Sequence, residues 1–289
     1  NLGLHNGKIL SSASNKLTLE TTASIVNTPT NAGGETNMGH ENSYVIGPLG
    51  YNSASTSPMI FPIGSATKYG PIALTPKGAT QTYTCDYTSS GYGNYAIDGT
   101  DTPPLDHVSK VEWWNVSSTE TGANDDAKVK LYWRTHSKVS TNSSDWTNLR
   151  VAHFDGTDWN REGNSPTITG SQVSWGSVES DIYIPNFSPI TLATNTSFNP
   201  LPVELISFNG VCEDGEVKIN WSTASEFNSQ AFLVQRSEDG IHFQTIATVP
   251  SAGNSAQLRT YSIVDTSAET TSNYYRLVEI DQDGKQTIY

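Results

Sequence analysis

The sequence predicts an all-β chain built as two tandem β-sandwiches, a larger jelly-roll-like one followed by a smaller one. Three observations predict it. No stretch of twelve or more residues carries a 3.6-residue apolar repeat, while period-two segments recur throughout. Clusters of turn residues separate those segments at short, regular intervals. Polarity comes from Ser, Thr, Asn and Gly, since only 16% of residues are charged, against 35% hydrophobic and 10% aromatic. Short polar side chains interleaved with Val, Ile, Tyr and Trp suit strands with one wet face. Disorder would go with fewer aromatic and β-branched residues. At 289 residues the chain is long enough for two domains.

Residues 1–42 form an N-terminal β segment. LGLHNGKILSS and KLTLETTASIV alternate in short bursts, as an edge hairpin or the end of a β-solenoid would, and TNAGGETNMGHEN is a loop. Residues 43–198 hold the larger sandwich. Strands are expected at Met59 to Ile63, Pro71 to Leu74, Thr80 to Tyr87, Lys110 to Val116, Ala127 to Arg134, Asn148 to Phe154, Gln172 to Trp175 and Asp181 to Ile184. In AKVKLYWR, Val129, Leu131 and Trp133 share one face and Lys128, Lys130 and Tyr132 the other. Composition shifts at TNTSFNPLP, Thr194 to Pro202, which reads as the linker. Residues 202–289 then carry strands at tighter spacing: Val203 to Phe208, Glu216 to Trp221, Phe232 to Ser237, Phe243 to Val249, Arg259 to Val264, Asn273 to Ile280 and the start of a seventh at Gln286. Gly240 and Gly284 sit where tight hairpins need a positive φ.

The formal net charge of −13 argues against a nucleic-acid partner, because an acidic surface repels phosphates. Apolar runs are too short for membrane insertion by a helix. The opening residues lack a basic region followed by an apolar core, so an export signal is expected to have been removed or to lie outside this stretch. Cys85 and Cys212 form neither a disulfide scaffold nor a zinc-ligand spacing. The Asn-X-Ser/Thr matches at Asn115, Asn142, Asn186, Asn195 and Asn220 arise by chance in a chain so rich in these residues.

Within the last ninety residues, Leu201-Pro202-Val203-Glu204-Leu205, Trp221, Thr223-Ala224-Ser225-Glu226, Gln235-Arg236-Ser237, Asp239-Gly240 and Tyr274-Tyr275-Arg276-Leu277 form a specific combined pattern. It resembles a fibronectin type III-like module near the carboxyl end of large secreted Bacteroidota proteins that leave the cell by type IX secretion. The preceding Ser43 to Pro48, Phe61 to Gly64 and Tyr69 are similar, more loosely, to the segment that often precedes that module and follows repetitive β-rich stalks or solenoids. The resemblance implies a fibronectin type III/Ig-like second sandwich, with Trp221 in its core and a tyrosine at 274 or 275 anchoring a corner. It also implies secretion of the parent polypeptide to the cell surface, although the family's sorting domain does not occur before Tyr289. A cysteine placed like Cys212 often has a partner just after the seventh strand in these modules. The chain is therefore expected to be a fragment with an incomplete last strand and no disulfide; a bridge to Cys85 would need Cα atoms within about 7 Å.

No catalytic motif appears: the six histidines are scattered, His40-Glu41 lacks a second histidine, and no Gly-x-Ser-x-Gly elbow occurs. Asp125-Asp126, Asp155 with Asp158, and Asp281 with Asp283 lie on turns. Asp281 and Asp283 are the metal candidates because Asp281-Gln282-Asp283-Gly284 starts like a calcium loop, though the later ligands are missing and hairpin chemistry also explains it. Apart from Ca2+ no cofactor is expected. Seven tryptophans invite a carbohydrate-binding reading, because flat aromatic faces stack on sugar rings. Trp113 and Trp114 must face opposite sides of one strand, and Trp114, Trp146 and Trp159 are the ligand-binding candidates. The first expectation is a non-enzymatic structural or adhesive segment of a surface protein, a stalk, spacer or filament subunit meeting copies of itself or surface polysaccharide. The alternatives are a carbohydrate-binding module and, third, a glycoside hydrolase with dispersed acids.

Overall fold

The computed structural model describes residues 2–289 apart from 22, 24, 28–38, 54, 79–80, 94, 120–125, 140–142, 173–174, 186, 188, 197–204, 214, 224–225, 227–228, 254, 256–257, 269–271, 283 and 285. The chain divides into two compact units, Asn1–Leu201 and Pro202–Tyr289, and each has its own buried core. It is almost all β. No described helix is long and apolar enough to cross a membrane.

The strands of the first unit are β1 (Leu2–Leu4), β2 (Ile9–Leu10), β3 (Leu17–Leu19), β4 (Ile25–Asn27), β5 (Val45–Ile46), β6 (Leu49–Ser53), β7 (Met59–Phe61), β8 (Ile63–Gly64), β9 (Ile72–Pro76) and β10 (Gln81–Thr88). They continue as β11 (Ala96–Ile97), β12 (His107–Val108), β13 (Trp113–Ser118), β14 (Ala127–Arg134), β15 (Leu149–Phe154), β16 (Asp158–Arg161), β17 (Ser165–Gln172), β18 (Trp175–Glu179) and β19 (Pro189–Thr194). A nine-stranded sheet runs β11-β16-β15-β19-β13-β10-β6-β3, with β12 beside β19, and a five-stranded sheet runs β17-β18-β14-β9-β7. Period-two alternation sends Tyr83, Cys85, Tyr87, Trp114 and Val116 of the first sheet toward Ile72, Leu74, Val129, Leu131 and Trp133 of the second, making one shared core. Trp133 lies so close over β18 that a Cβ on Gly176 would meet its ring at 1.9 Å, so the strand needs a glycine there.

Three expectations are corrected here. Asp181 to Ile184 is not a strand; it holds only an isolated bridge from Ile184 to Ala127. Of the expected strand Gln172 to Trp175, Gln172 ends β17 and Trp175 starts β18, while residues 173–174 lie outside the described residues. A strand absent from the sequence reading, β19, lies between β13 and β15 in the nine-stranded sheet. Its residues Pro189-Ile190-Thr191-Leu192-Ala193-Thr194 are too few to show a period against the turns around them.

At the N-terminus the short strands pair in parallel: β1 with β4, β2 with β5, β5 with β8, and β3 with β6. A solenoid is not shown. Its coils would repeat at constant sequence spacing, whereas Leu2 pairs with Ile25, Ile9 with Val45, and Val45 with Ile63, and β6 already belongs to the sandwich.

The second unit comprises β20 (Leu205–Glu213), β21 (Glu216–Thr223), β22 (Ser229–Ser237), β23 (Gln244–Pro250), β24 (Arg259–Asp265), β25 (Tyr274–Asp281) and β26 (Gln286–Ile288). Sheet β20-β21-β24 packs against sheet β23-β22-β25-β26, the division of a fibronectin type III/Ig-like sandwich. Trp221 fills the core and stacks on Tyr261 at 5.2 Å. Tyr275 anchors a corner by donating to Asp265 Oδ2 at 2.9 Å, while Tyr274 is exposed. Burial and the neighbouring carboxylate push the Tyr275 phenol up to about 12. Burial raises Asp265, but hydrogen bonds from Ser267, Tyr275 and Arg236 outweigh it and hold the carboxyl below its ordinary value. Cys85 is buried and Cys212 exposed; both are free thiols.

Glu279, 3% exposed on β25, supplies a pH dependence. Burial raises its pKa, and Asp281 and Glu226 add like charge, against an accepted bond from the Tyr289 hydroxyl at 2.9 Å. A raised folded-state value means the fold binds this proton more tightly than the unfolded chain does. The contribution is therefore fully present below the ordinary Glu range and is lost as pH rises through the raised value. Glu279→Gln should stabilise the second unit relative to wild type at pH 7 and much less at pH 4, read as denaturation midpoints. Equal differences at both pH values would contradict the assignment.

Candidate functional site

The outer face of the nine-stranded sheet carries the site. On β13 the side chains alternate: Trp114 and Val116 point into the core, leaving Trp113, Asn115 and Ser117 outward. Register fixes which tryptophan is which. Trp114 pairs with Tyr87, whose strand buries Gln81, Tyr83, Cys85 and Tyr87 and turns Thr82, Thr84, Asp86 and Thr88 outward.

Trp113 meets Tyr92, which in turn meets Tyr95; both tyrosines lie between β10 and β11. Tyr92 lies edge-on to Trp113 at 4.8 Å between ring centroids and tilted against Tyr95 at 5.6 Å. Below them Phe154 sits 4.3 Å from Tyr95 and 5.4 Å from Tyr92, with Trp159 5.4 Å from Phe154. This floor belongs to a small second core with Leu105, Val108, Ala152 and Ala193. Lys110 Nζ donates to Gly93 O at 3.2 Å and ties the tyrosine segment to the start of β13. Tyr95 stays 48% exposed, and Tyr92 and Trp113 are partly exposed. The result is a wet aromatic surface on a buried aromatic base.

Beside it runs a row of short polar groups. Asp86 lies opposite Asn115 and Thr84 opposite Ser117. Farther along, Lys16 Nζ donates to Thr84 Oγ1 at 3.0 Å, Thr82 Oγ1 to Asn52 Oδ1 at 2.6 Å, and Asn52 Nδ2 to Glu20 Oε2 at 2.8 Å. Burial raises the Asp86 pKa, against a bond from the Tyr87 amide.

Directly behind, on the core side, the Tyr87 hydroxyl donates to Glu112 Oε2 at 2.8 Å and lies 3.1 Å from His136 Nε2. Glu112 is fully buried, and burial together with that carboxylate holds the Tyr87 phenol far above its ordinary range. This cluster braces one end of the sandwich and faces away from the aromatic surface.

Among the tryptophan candidates, the structure corrects all three. Trp114 is fully buried and donates to Gly70 O at 2.8 Å. Trp146, in a 3-10 turn at Ser143–Asn148, is 7% exposed and packs on Trp133 at 5.6 Å. Trp159 is 1% exposed in the floor. Each ring buries more apolar area than the short polar residues flanking it can offset, so Asp and Asn neighbours did not keep it outside. Alternation required one of Trp113 and Trp114 to face out but could not say which. Tyr92 and Tyr95 were hidden in what reads as an ordinary turn cluster. Asp283 lies outside the described residues, and Asp281 belongs to the turn closed by Gly284 N on Asp281 O at 2.9 Å. Among the described residues no group of three or more His, Cys, Asp or Glu is placed to hold a metal ion.

No family model matches the chain, and no curated protein does either. Among solved structures, a β-1,2-glucanase from Parabacteroides distasonis aligns at TM-score 0.21 and 10% identity over 83% of this chain. The chain spans about a third, 35%, of that enzyme's length. The expected structural or adhesive role is corrected at this point: nothing in the comparisons indicates a stalk, spacer or filament subunit. A likeness of that size carries no argument for shared activity.

Proposed function

We propose that the chain is a glycan-binding module that holds a neutral sugar on Tyr92, Tyr95 and Trp113 without cleaving it. The observation that carries the reading is the exposed aromatic surface beside a hydrogen-bonding row on one sheet face. Sugar rings offer C–H faces that pack on aromatic rings and hydroxyl edges that bond to short polar side chains. Tyrosine and tryptophan suit such a half-wet position because their apolar bodies carry polar tips. A non-enzymatic role is supported by Glu112, the carboxylate next in the chain to Trp113, which points into the core and bonds to Tyr87. The low charge and the resemblance of residues 202–289 to secreted modules support an extracellular setting with polysaccharide as partner.

Affinity electrophoresis through neutral polysaccharides (laminarin, xyloglucan, glucomannan and hydroxyethylcellulose) tests this. Wild type should be retarded by at least one of them. Tyr95→Ala and Trp113→Ala should each weaken that retention about tenfold, the loss of one well-packed aromatic contact, with the fold kept by circular dichroism. Retention unchanged in both variants would place the site elsewhere, and release of reducing ends would refute the non-enzymatic reading.

A further inference from the structure

We infer, resting on that glycan reading, that the ligand is an extended, unbranched chain lying across strands β13, β10, β6 and β3, not a single terminal sugar. The four strands are consecutive neighbours in the sheet, and at ~4.8 Å per strand they span about 14 Å beyond the aromatic surface. Register carries the row across them: Ser117 faces Thr84, Thr84 faces Gly50, which has no side chain, and the Thr18 side chain lies over Gly50 from β3. A second row beside it holds Asn115 and Asp86.

Recognition of a terminal sugar relies on a concave pit that encloses most of the ligand. Among the described residues, the outward side chains of β10 and β13 build no such wall. Beyond Trp113 the outward side chains of β10 and β13 are Thr, Asp, Asn and Ser, all short. Several of the polar groups already bond to one another, Thr82 to Asn52 and Asn52 to Glu20, which holds them level in fixed positions. Each such group contributes little to a bound ring, so useful affinity requires several rings in series. Asp86 and Glu20 on the track outnumber Lys16 on Thr84 and, within a chain of net charge −13, disfavour an anionic polymer.

The experiment takes whichever of the four polysaccharides retards wild type, cuts it to oligosaccharides of one to six rings, and titrates each calorimetrically. Affinity should climb with length, the six-ring oligomer binding at least about tenfold tighter than the two-ring one. Asn115→Ala and Ser117→Ala, both exposed positions, should each weaken the six-ring oligomer by about fivefold, the worth of one hydrogen bond, while leaving the two-ring one unchanged. Equal affinity for one ring and six, still lost in Tyr95→Ala, would overturn the extended chain and leave the glycan site standing. No retention by any of the polysaccharides would remove both.

Discussion

Trp114→Ala is expected to cost the first unit about 3–5 kcal/mol, the range for deleting a large buried aromatic, whereas Trp113→Ala should leave its stability nearly intact and weaken ligand binding about tenfold. The two residues are adjacent and chemically identical, so the contrast isolates burial. Trp114 is fully buried, its ring 5.4 Å from that of Tyr87, and its indole N–H satisfies Gly70 O. Truncation leaves a cavity in a close-packed core and an acceptor without its donor. It also loosens the Tyr87 ring whose hydroxyl meets Glu112. Trp113, partly exposed on Tyr92, gives up mainly surface contact. Chemical denaturation followed by far-ultraviolet circular dichroism checks both. A Trp113→Ala loss as large as that of Trp114→Ala would mean that the outward ring is structural.

Glu226→Ala should destabilise the second unit by about 3 kcal/mol or more, because it strands three donors at once. Glu226 is 2% exposed. Its Oε1 accepts from Thr223 Oγ1 at 2.7 Å and from the Tyr261 hydroxyl at 2.6 Å, and its Oε2 from the Ala252 amide at 2.6 Å. Its backbone pairs with Ser255 in both directions. One carboxylate thus joins the end of β21, the face of β24 and the 251–255 turn. Burial and this carboxylate hold the Tyr261 phenol well above its ordinary range. In Glu226→Ala that phenol should therefore titrate at lower pH, which absorbance near 295 nm can follow. Because the units have separate cores, the first unit's transition should not move. A small stability loss with an unchanged tyrosine titration would show that Glu226 is solvated in solution.

Much of this fold was legible in the chain. AKVKLYWR alternates as a strand must, and it is β14 over the same residues. Glycines at 240 and 284 adopt the positive φ that their turns require. Local pattern suffices there because side-chain period and turn chemistry are properties of a few consecutive residues. It failed where a choice depended on residues far away. Asp181 to Ile184 has strand composition yet finds only one bridging partner, while β19 is held by β13, β12 and β15, none of them its neighbours in sequence.

The site divides the same way. That Trp113 and Trp114 oppose each other across a strand follows from local pattern, since Cβ directions alternate. That Trp114 goes inside depends on distant residues, because the register with Tyr87 and the facing sheet chooses which side of β13 is the core. Tyr92 and Tyr95 became a surface only when their segment folded back over Phe154 and Trp159, residues some sixty positions later. Aromatic rings gather wherever the fold leaves apolar area to cover, and that area is a property of the assembled sheet, not of any stretch of chain.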